Sequence, residues 1–299
     1  NSNLMARGKN TGGLIQIGGS WQNSNKAIRE SVETIVGEDV IVDVSAIEKG
    51  TGGTIVAWSN IKNSHSKTTV AAKLTATGGE EGGEGGRIET SGHFLNVKNI
   101  KVDTSTSSNE YKEGTWLLDP YNVEIFSGAD NNNSLVGDTY TPTGSWSQIY
   151  VDDLVTNLMS NDIIITTSGS GTENGDITFS SNFITTSEEG LLTLNADRNI
   201  DIVGDIERTK GNIILNAGLG ASVTGGLTGT GDIDMGQGSL TINQDGNTTY
   251  SGVISGSGDI NKMGSGTFNL SGTNTYTGPT TISEGILQLS GELSGSSAV

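Results

Sequence analysis

The sequence predicts an all-β solenoid, a parallel β-helix of stacked coils, on three observations. Glycine-led alternating segments recur at a near-constant interval, glycine is abundant while proline is scarce, and helical periodicity is confined to one short stretch. The recurrence is clearest in the C-terminal half. There Gly-Asp-Ile appears at Gly175-Asp176, Gly204-Asp205, Gly231-Asp232 and Gly258-Asp259, spaced by 29, 27 and 27 residues. A second segment follows each copy: Gly190–Leu194, Gly211–Leu215, Gly238–Ile242 and Gly266–Leu270. A fixed period of roughly 20–50 residues marks stacked units rather than a globular core. Each unit here offers two short strands and two turns.

Composition agrees. The 45 glycines and three prolines suit many tight turns between short strands. A hydrophobic share of 32% is low for a globular chain of 299 residues. A solenoid tolerates it, because each coil contacts only its neighbours and length grows without a thicker core. Sixteen basic against 34 acidic residues give a net charge of −18. Such a chain is repelled by phosphate backbones and anionic headgroups, so neither nucleic acid nor a membrane surface is an expected partner. No apolar run is long enough for a transmembrane helix, and no cleavable signal opens the chain, which reads as a piece of a longer protein. The absence of cysteine excludes disulfide scaffolds and cysteine-based metal or redox chemistry. It also suits a chain that crosses a narrow outer-membrane pore unfolded.

Residues 1–128 form the first predicted region. Period-2 bursts bounded by Gly, Ser and Asn mark strands at Leu14–Ile17, Val40–Val44, Gly53–Trp58 and Phe94–Val97. Ser24–Val36 places Ala27, Ile28, Ser31, Val32 and Ile35 at helical spacing and is expected to hold a helical turn or two. Gly78–Gly86 places three glutamates on a glycine backbone and is expected to be a solvated loop, since it lacks the spaced ligands of calcium-binding loops. Residues 129–162 form an irregular insertion. Its Asp130–Asn133 run is turn-forming, and Ser147–Ser160 is the best helix in the chain. Val151, Leu154, Val155, Leu158 and Met159 share a face there, with Ser147 as N-cap and Asp152 and Asp153 in the first turns. Residues 163–299 form the regular repeat region. Leu240 and Ile242 are expected to stack between Ile213 and Leu215 on one side and Phe268 and Leu270 on the other.

Candidate chemistry is sparse. His65 and His93 lie far apart and cannot make a zinc site alone; both read as isolated, exposed histidines. No nucleophile elbow, phosphate loop or His-Glu-x-x-His is present. Asp176, Asp205, Asp232 and Asp259 are expected to stack as one column. A carboxylate repeated in every coil points to a turn role, because aspartate bonds its own backbone in turns, whereas a glycosidase pair would be irregular. The tandem threonines Thr166-Thr167, Thr185-Thr186, Thr248-Thr249 and Thr280-Thr281 are irregularly spaced and read as surface β-formers. No catalytic, cofactor or metal residue is assigned, and the chain is not expected to be an enzyme.

The run Gly256–Gly278, with its Asn274-Thr275-Tyr276-Thr277-Gly278 core, and the following Thr280–Leu289 resemble the autotransporter-associated β-strand repeat, over residues 256–291. Gly53–Ser59, Gly86–His93 and above all Gly114–Ile125 are similar to filamentous-haemagglutinin-type adhesins exported by two-partner secretion. These resemblances imply a right-handed parallel β-helix at the surface of a Gram-negative bacterium, acting in adhesion or aggregation. Implied partners are a host-cell or bacterial surface receptor, glycans included, an outer-membrane translocator, and a second copy of the chain. Neither a secretion domain nor a translocator barrel is recognisable, so the route stays open between two-partner and single-chain export. The motifs are structural and carry over no receptor-binding residue. Two alternatives stand beside the adhesin: a subunit of a self-associating extracellular filament, and a β-helix enzyme that degrades polysaccharide.

Overall fold

The structure is a computed structural model that describes residues 2–128, 133–136, 139–142, 146–167, 175–186, 190–220 and 225–295. The Asp130–Asn132 part of the turn-forming run lies outside them. The chain packs as two units, Asn1–Tyr121 with Ala129–Ile164, and Asn122–Gly128 with Ile165–Val299. Each is a parallel β-helix with three faces.

In the first unit one face stacks Ser2–Met5, Val40–Asp43, Lys73–Thr75 and Lys101–Asp103. A second stacks Leu14–Ile17, Thr54–Trp58, Arg87–Gly92 and Thr115–Pro120. The third stacks Glu33–Val36, Lys67–Val70 and Phe94–Asn96. Inward positions make the core: Val42, Leu74 and Val102 from the first face, Ile55, Ile88 and Trp116 from the second, Val36 and Val70 from the third. The coils shorten along the chain. Leu14 pairs with Thr54 forty residues on, Thr54 with Arg87 after 33, and Arg87 with Thr115 after 28. The expected helical turns at Ser24–Val36 are not present as such. Trp21–Asn23 forms a short 3-10 turn, and Glu33–Val36 is a strand. Its alternation wins over the helical spacing because Thr34 and Val36 turn inward against Thr68 and Val70.

A helix occupies Val151–Leu158, shorter than the expected Ser147–Ser160. Ser147 does not cap it: Ser147–Tyr150 is a strand, and the Ser147 Oγ accepts the Leu95 N–H at 2.9 Å. Val151, Leu154 and Leu158 are buried, whereas Met159 is 60% exposed. A polar row on this segment has a separate task. Asp153 accepts the Asn99 N–H, Asn157 accepts that of Val102 and donates to Ile100 O, and Asn161 accepts that of Thr104 and donates to Val102 O. Side chains at every fourth position, Asp153 and Asn157 on the helix and Asn161 just past its end, thus satisfy the edge of Lys101–Asp103 and its flanks as a strand would.

The second unit has faces of seven, five and four strands. One runs Val123–Phe126, Ile177–Phe179, Ile200–Ile202, Leu227–Gly229, Thr248–Tyr250, Thr267–Leu270, Ile286–Leu289. Another runs Leu192–Ala196, Ile213–Ala217, Leu240–Gln244, Ile260–Met263, Thr280–Ile282. The shortest runs Phe183–Ile184, Ile206–Glu207, Ile233–Asp234, Ile254–Ser255. Strand pairing corrects the expected stacking. Leu240 and Ile242 do sit on Ile213 and Leu215, but their other neighbours are Ile260 and Lys262. Phe268 and Leu270 belong to a different face, between Thr248 and Tyr250 below and Leu287 and Leu289 above. The cause is the true period. Leu240 to Ile260 and Ile260 to Thr280 are each 20 residues, whereas Ile213 to Leu240 takes 27. A step of 27 is thus either one coil with an insertion or one coil plus one face.

Where the chain turns between faces, glycines stack in columns: Gly204, Gly231, Gly252, Gly272 and Gly291 at one corner, Gly211, Gly238, Gly258 and Gly278 at the next, and Gly225, Gly246 and Gly266 at the third. A Cβ added to Gly258 would fall on the carbonyl oxygen of Gly238 one coil below, and the same holds for Gly231 over Gly204. We expect Gly258→Ala to force a backbone shift and cost about 1–3 kcal/mol. Gly37→Ala, where a Cβ meets nothing within 4 Å, should stay within about 0.5 kcal/mol of wild type. Urea melts of the two variants check the contrast; equal midpoints would refute it.

Candidate functional site

The four Gly-Asp-Ile copies do not form one column. Gly204-Asp205 and Gly231-Asp232 share a corner, Ile206 pairing with Ile233. Gly258-Asp259 lies at the next corner, since Ile260 pairs with Leu240. Gly175-Asp176 lies at the third, since Ile177 pairs with Ile200. Their chemistry differs accordingly. Asn182 Oδ1 accepts the Asp205 N–H at 3.0 Å, Asp205 Oδ1 accepts that of Asp232 at 2.8 Å, and Asp232 Oδ1 accepts that of Val253 at 2.8 Å. These carboxylates bond the coil above rather than their own turn. At the third corner Asn122, Asp176 and Asn199 do the same for Asp176, Asn199 and Gly226. Asp176 also holds Arg198 in a two-pronged ion pair, its Oδ1 accepting from Nε at 2.7 Å. Asp259 makes no side-chain hydrogen bond among the described residues; the residue one coil above it is Pro279, which has no N–H to give.

The first unit holds the acid with the most displaced ionisation. Glu89 is fully buried on the outward side of Arg87–Gly92, under the Trp21–Asn23 turn. Its Oε2 accepts the Gln22 N–H at 2.8 Å and its Oε1 the Ser91 hydroxyl at 2.8 Å. Burial pushes its pKa up to about 7, opposed by those two hydrogen bonds and by Arg87. Trp21 lies 4.4 Å from the Arg87 guanidinium, and Gln22 and Asn23 are left-handed, with φ of 45° and 51°. Glu89 therefore latches a strained turn over a patch of Val56, Trp58, Ile61 and Tyr121. Nothing in the local sequence, Arg87-Ile88-Glu89-Thr90-Ser91, signals this role; alternation alone puts Glu89 outward.

His65 is exposed. His93, expected to be exposed too, is buried and stacked on Tyr121 at 4.5 Å, with Nδ1 2.9 Å from Ile61 O. The Gly78–Gly86 segment is not a free loop. Gly79 N–H bonds Gly50 O, Gly50 N–H bonds Gly82 O, and Gly52 N–H bonds Glu84 O, so its backbone continues the stack and only the glutamates project. The threonine pairs fall on different faces: Thr248-Thr249 on the seven-strand face and Thr280-Thr281 on the five-strand face. Among the described residues no three His, Asp or Glu side chains converge as a metal site would require.

The coil from Ile260 onward has an interior built on polar side chains. Lys262 is fully buried, with Nζ donating to Met263 O and Gly264 O at 2.5 and 2.8 Å, and burial pulls its pKa below the ordinary lysine value. Asn274 accepts the Ile254 N–H at 3.0 Å and donates to Gly272 O. Tyr276 is buried, with its hydroxyl 3.0 Å from the Thr280 hydroxyl. Residues 260–289 match the passenger-associated transport repeat. The chain thus carries a repeat of autotransporter passengers, which are parts of secreted or surface proteins. No curated protein matches the chain. Among the described residues, no helix is long and apolar enough to cross a membrane.

Asp232→Ala strands the Val253 N–H and should cost about 1 kcal/mol, while Asp259→Ala should be neutral; a melt in which both lose equally would refute the inter-coil bond. Glu89 keeps its proton in the folded state up to about pH 7, well above the ordinary carboxylate value of 4.5. Its contribution to stability is therefore full below pH 4.5 and is lost as pH rises through 7, by about 3 kcal/mol. Denaturant midpoints of wild type should fall over that window relative to Glu89→Gln; parallel pH profiles would refute the assignment.

Proposed function

We propose that the chain is part of the passenger of an exported bacterial surface adhesin that attaches to a receptor on host cells or other bacteria, glycans included. The observation that carries this reading is the passenger-associated transport repeat at residues 260–289. The surface chemistry of the second unit supports it. Along its longest face the outward residues Thr178, Asp201, Thr228, Thr249, Asn269 and Gln288 follow one another strand by strand. Hydroxyl, amide and carboxylate groups repeated at about 4.8 Å suit hydrogen bonding to an extended partner.

Export adds a second partner, an outer-membrane translocator. Coils that close only on their neighbours allow folding to proceed from one end as the chain emerges, and a cysteine-free chain meets no disulfide block on the way. The likeness of residues 1–128 to filamentous-haemagglutinin-type adhesins favours a separate translocator, and the repeat favours a fused one; both routes require such a pore. Catalysis is not part of the proposal: both oxygens of Glu89 are engaged by the chain's own Gln22 and Ser91.

Beads coated with the protein should be retained on epithelial cells, bacterial cells or a panel of immobilised polysaccharides, with no increase in reducing ends. Absence of retention on every surface would overturn the adhesin reading, and release of sugar would replace it with an enzyme.

A further inference from the structure

The first face of the first unit carries an open groove of about 440 Å³, lined by Glu38, Asp39, Ile41, Lys73, Asn99 and Lys101 among others. Register places Ile41, Lys73 and Lys101 opposite one another on successive strands. Two ammonium groups thus start from backbones about 4.8 Å apart, and like charges in that position destabilise a sheet.

The arrangement is unexpected in a chain with 34 acidic and 16 basic residues. Four other cations of the unit have partners: Arg7 pairs with Asp43, Lys9 with Glu48, Lys67 with Glu33, and Lys98 lies over the Tyr150 ring. Neither Lys73 nor Lys101 has a carboxylate within 4.0 Å among the described residues. Asp103, two positions along from Lys101, is engaged by Ser105. The groove therefore offers two adjacent cations outside any ion pair within 4.0 Å, an apolar floor at Ile41, which is 37% exposed, and carboxylate acceptors at Glu38 and Asp39.

We propose that this groove binds an acidic polysaccharide. Lys73 and Lys101 hold its carboxylate or sulfate groups, Glu38 and Asp39 accept hydrogen bonds from adjacent sugar hydroxyls, and Ile41 contacts a ring face. The proposal rests on the adhesin reading and names its ligand class.

Wild type and a Lys73→Gln/Lys101→Gln variant are passed over immobilised polygalacturonate, heparin and dextran. Wild type should bind one or both acidic polymers and not dextran, with affinity falling between low and about half-molar salt. The variant should lose about tenfold, about 1.4 kcal/mol in all, within what two exposed ion pairs supply. Polygalacturonate alone assigns a carboxylate ligand and heparin alone a sulfate. A Lys49→Gln/Lys62→Gln control, both positions exposed and outside the groove, should bind as wild type, and matching melts exclude misfolding. No binding to either acidic polymer, or equal binding by the groove variant, overturns the proposal. Bead retention on cells that survives the groove variant leaves the adhesin reading standing without it.

Discussion

Coil-on-coil contact at the corners, with no room for a side chain, is the constraint on which the second unit depends. Parallel strands stack at about 4.8 Å along every face. A solenoid must keep that spacing through its turns as well, where the ladder of backbone hydrogen bonds is interrupted. Glycine meets the steric demand, as at Gly258 over Gly238. Asn and Asp meet the polar one, lending a side-chain oxygen to the N–H of the coil above, as Asp205 does for Asp232. The adjacency Gly-Asp or Gly-Asn is therefore one device wherever the coil above has an N–H to give: the first residue permits the approach and the second satisfies the amide brought close by it.

The same logic governs the interior. Lys262 and Gln244, with almost no exposure, face inward in the five-strand face. Their donors end on carbonyls of the next turn: Gly264 O for Lys262 and Gly246 O for Gln244. Tyr250 places its hydroxyl on Gly231 O. A narrow three-sided tube has little volume for apolar side chains, and long polar ones close its corners from within. Burial of a polar group without a partner is costly, and these groups answer carbonyls that the turns leave over.

Much of this was readable from residues alone. Alternation identified the strands, abundant glycine the turns, and the Leu240 row its neighbours Ile213 and Leu215. The phase of the repeat was not readable, because one face and one insertion are both about seven residues long and a step of 27 has two meanings. Ser24–Val36 misled for a related reason: a four-residue strand is shorter than the window that separates periods of 2 and 3.6. The Asp153, Asn157, Asn161 spacing was open to view, yet its meaning depended on a strand more than fifty residues earlier. Glu89 stayed hidden because its cover comes from Trp21–Asn23, which no local pattern links to it.

The coil between Ile213 and Leu240 has further meaning in its seven surplus residues. Pairing above and below it is in register, Leu215 with Ile242 and Leu194 with Leu215. The fold thus separates the residues that keep time from those that do not, and a corner can absorb foreign sequence without disturbing the count. Sequence length can therefore change at such a corner while the rungs on either side stay in register.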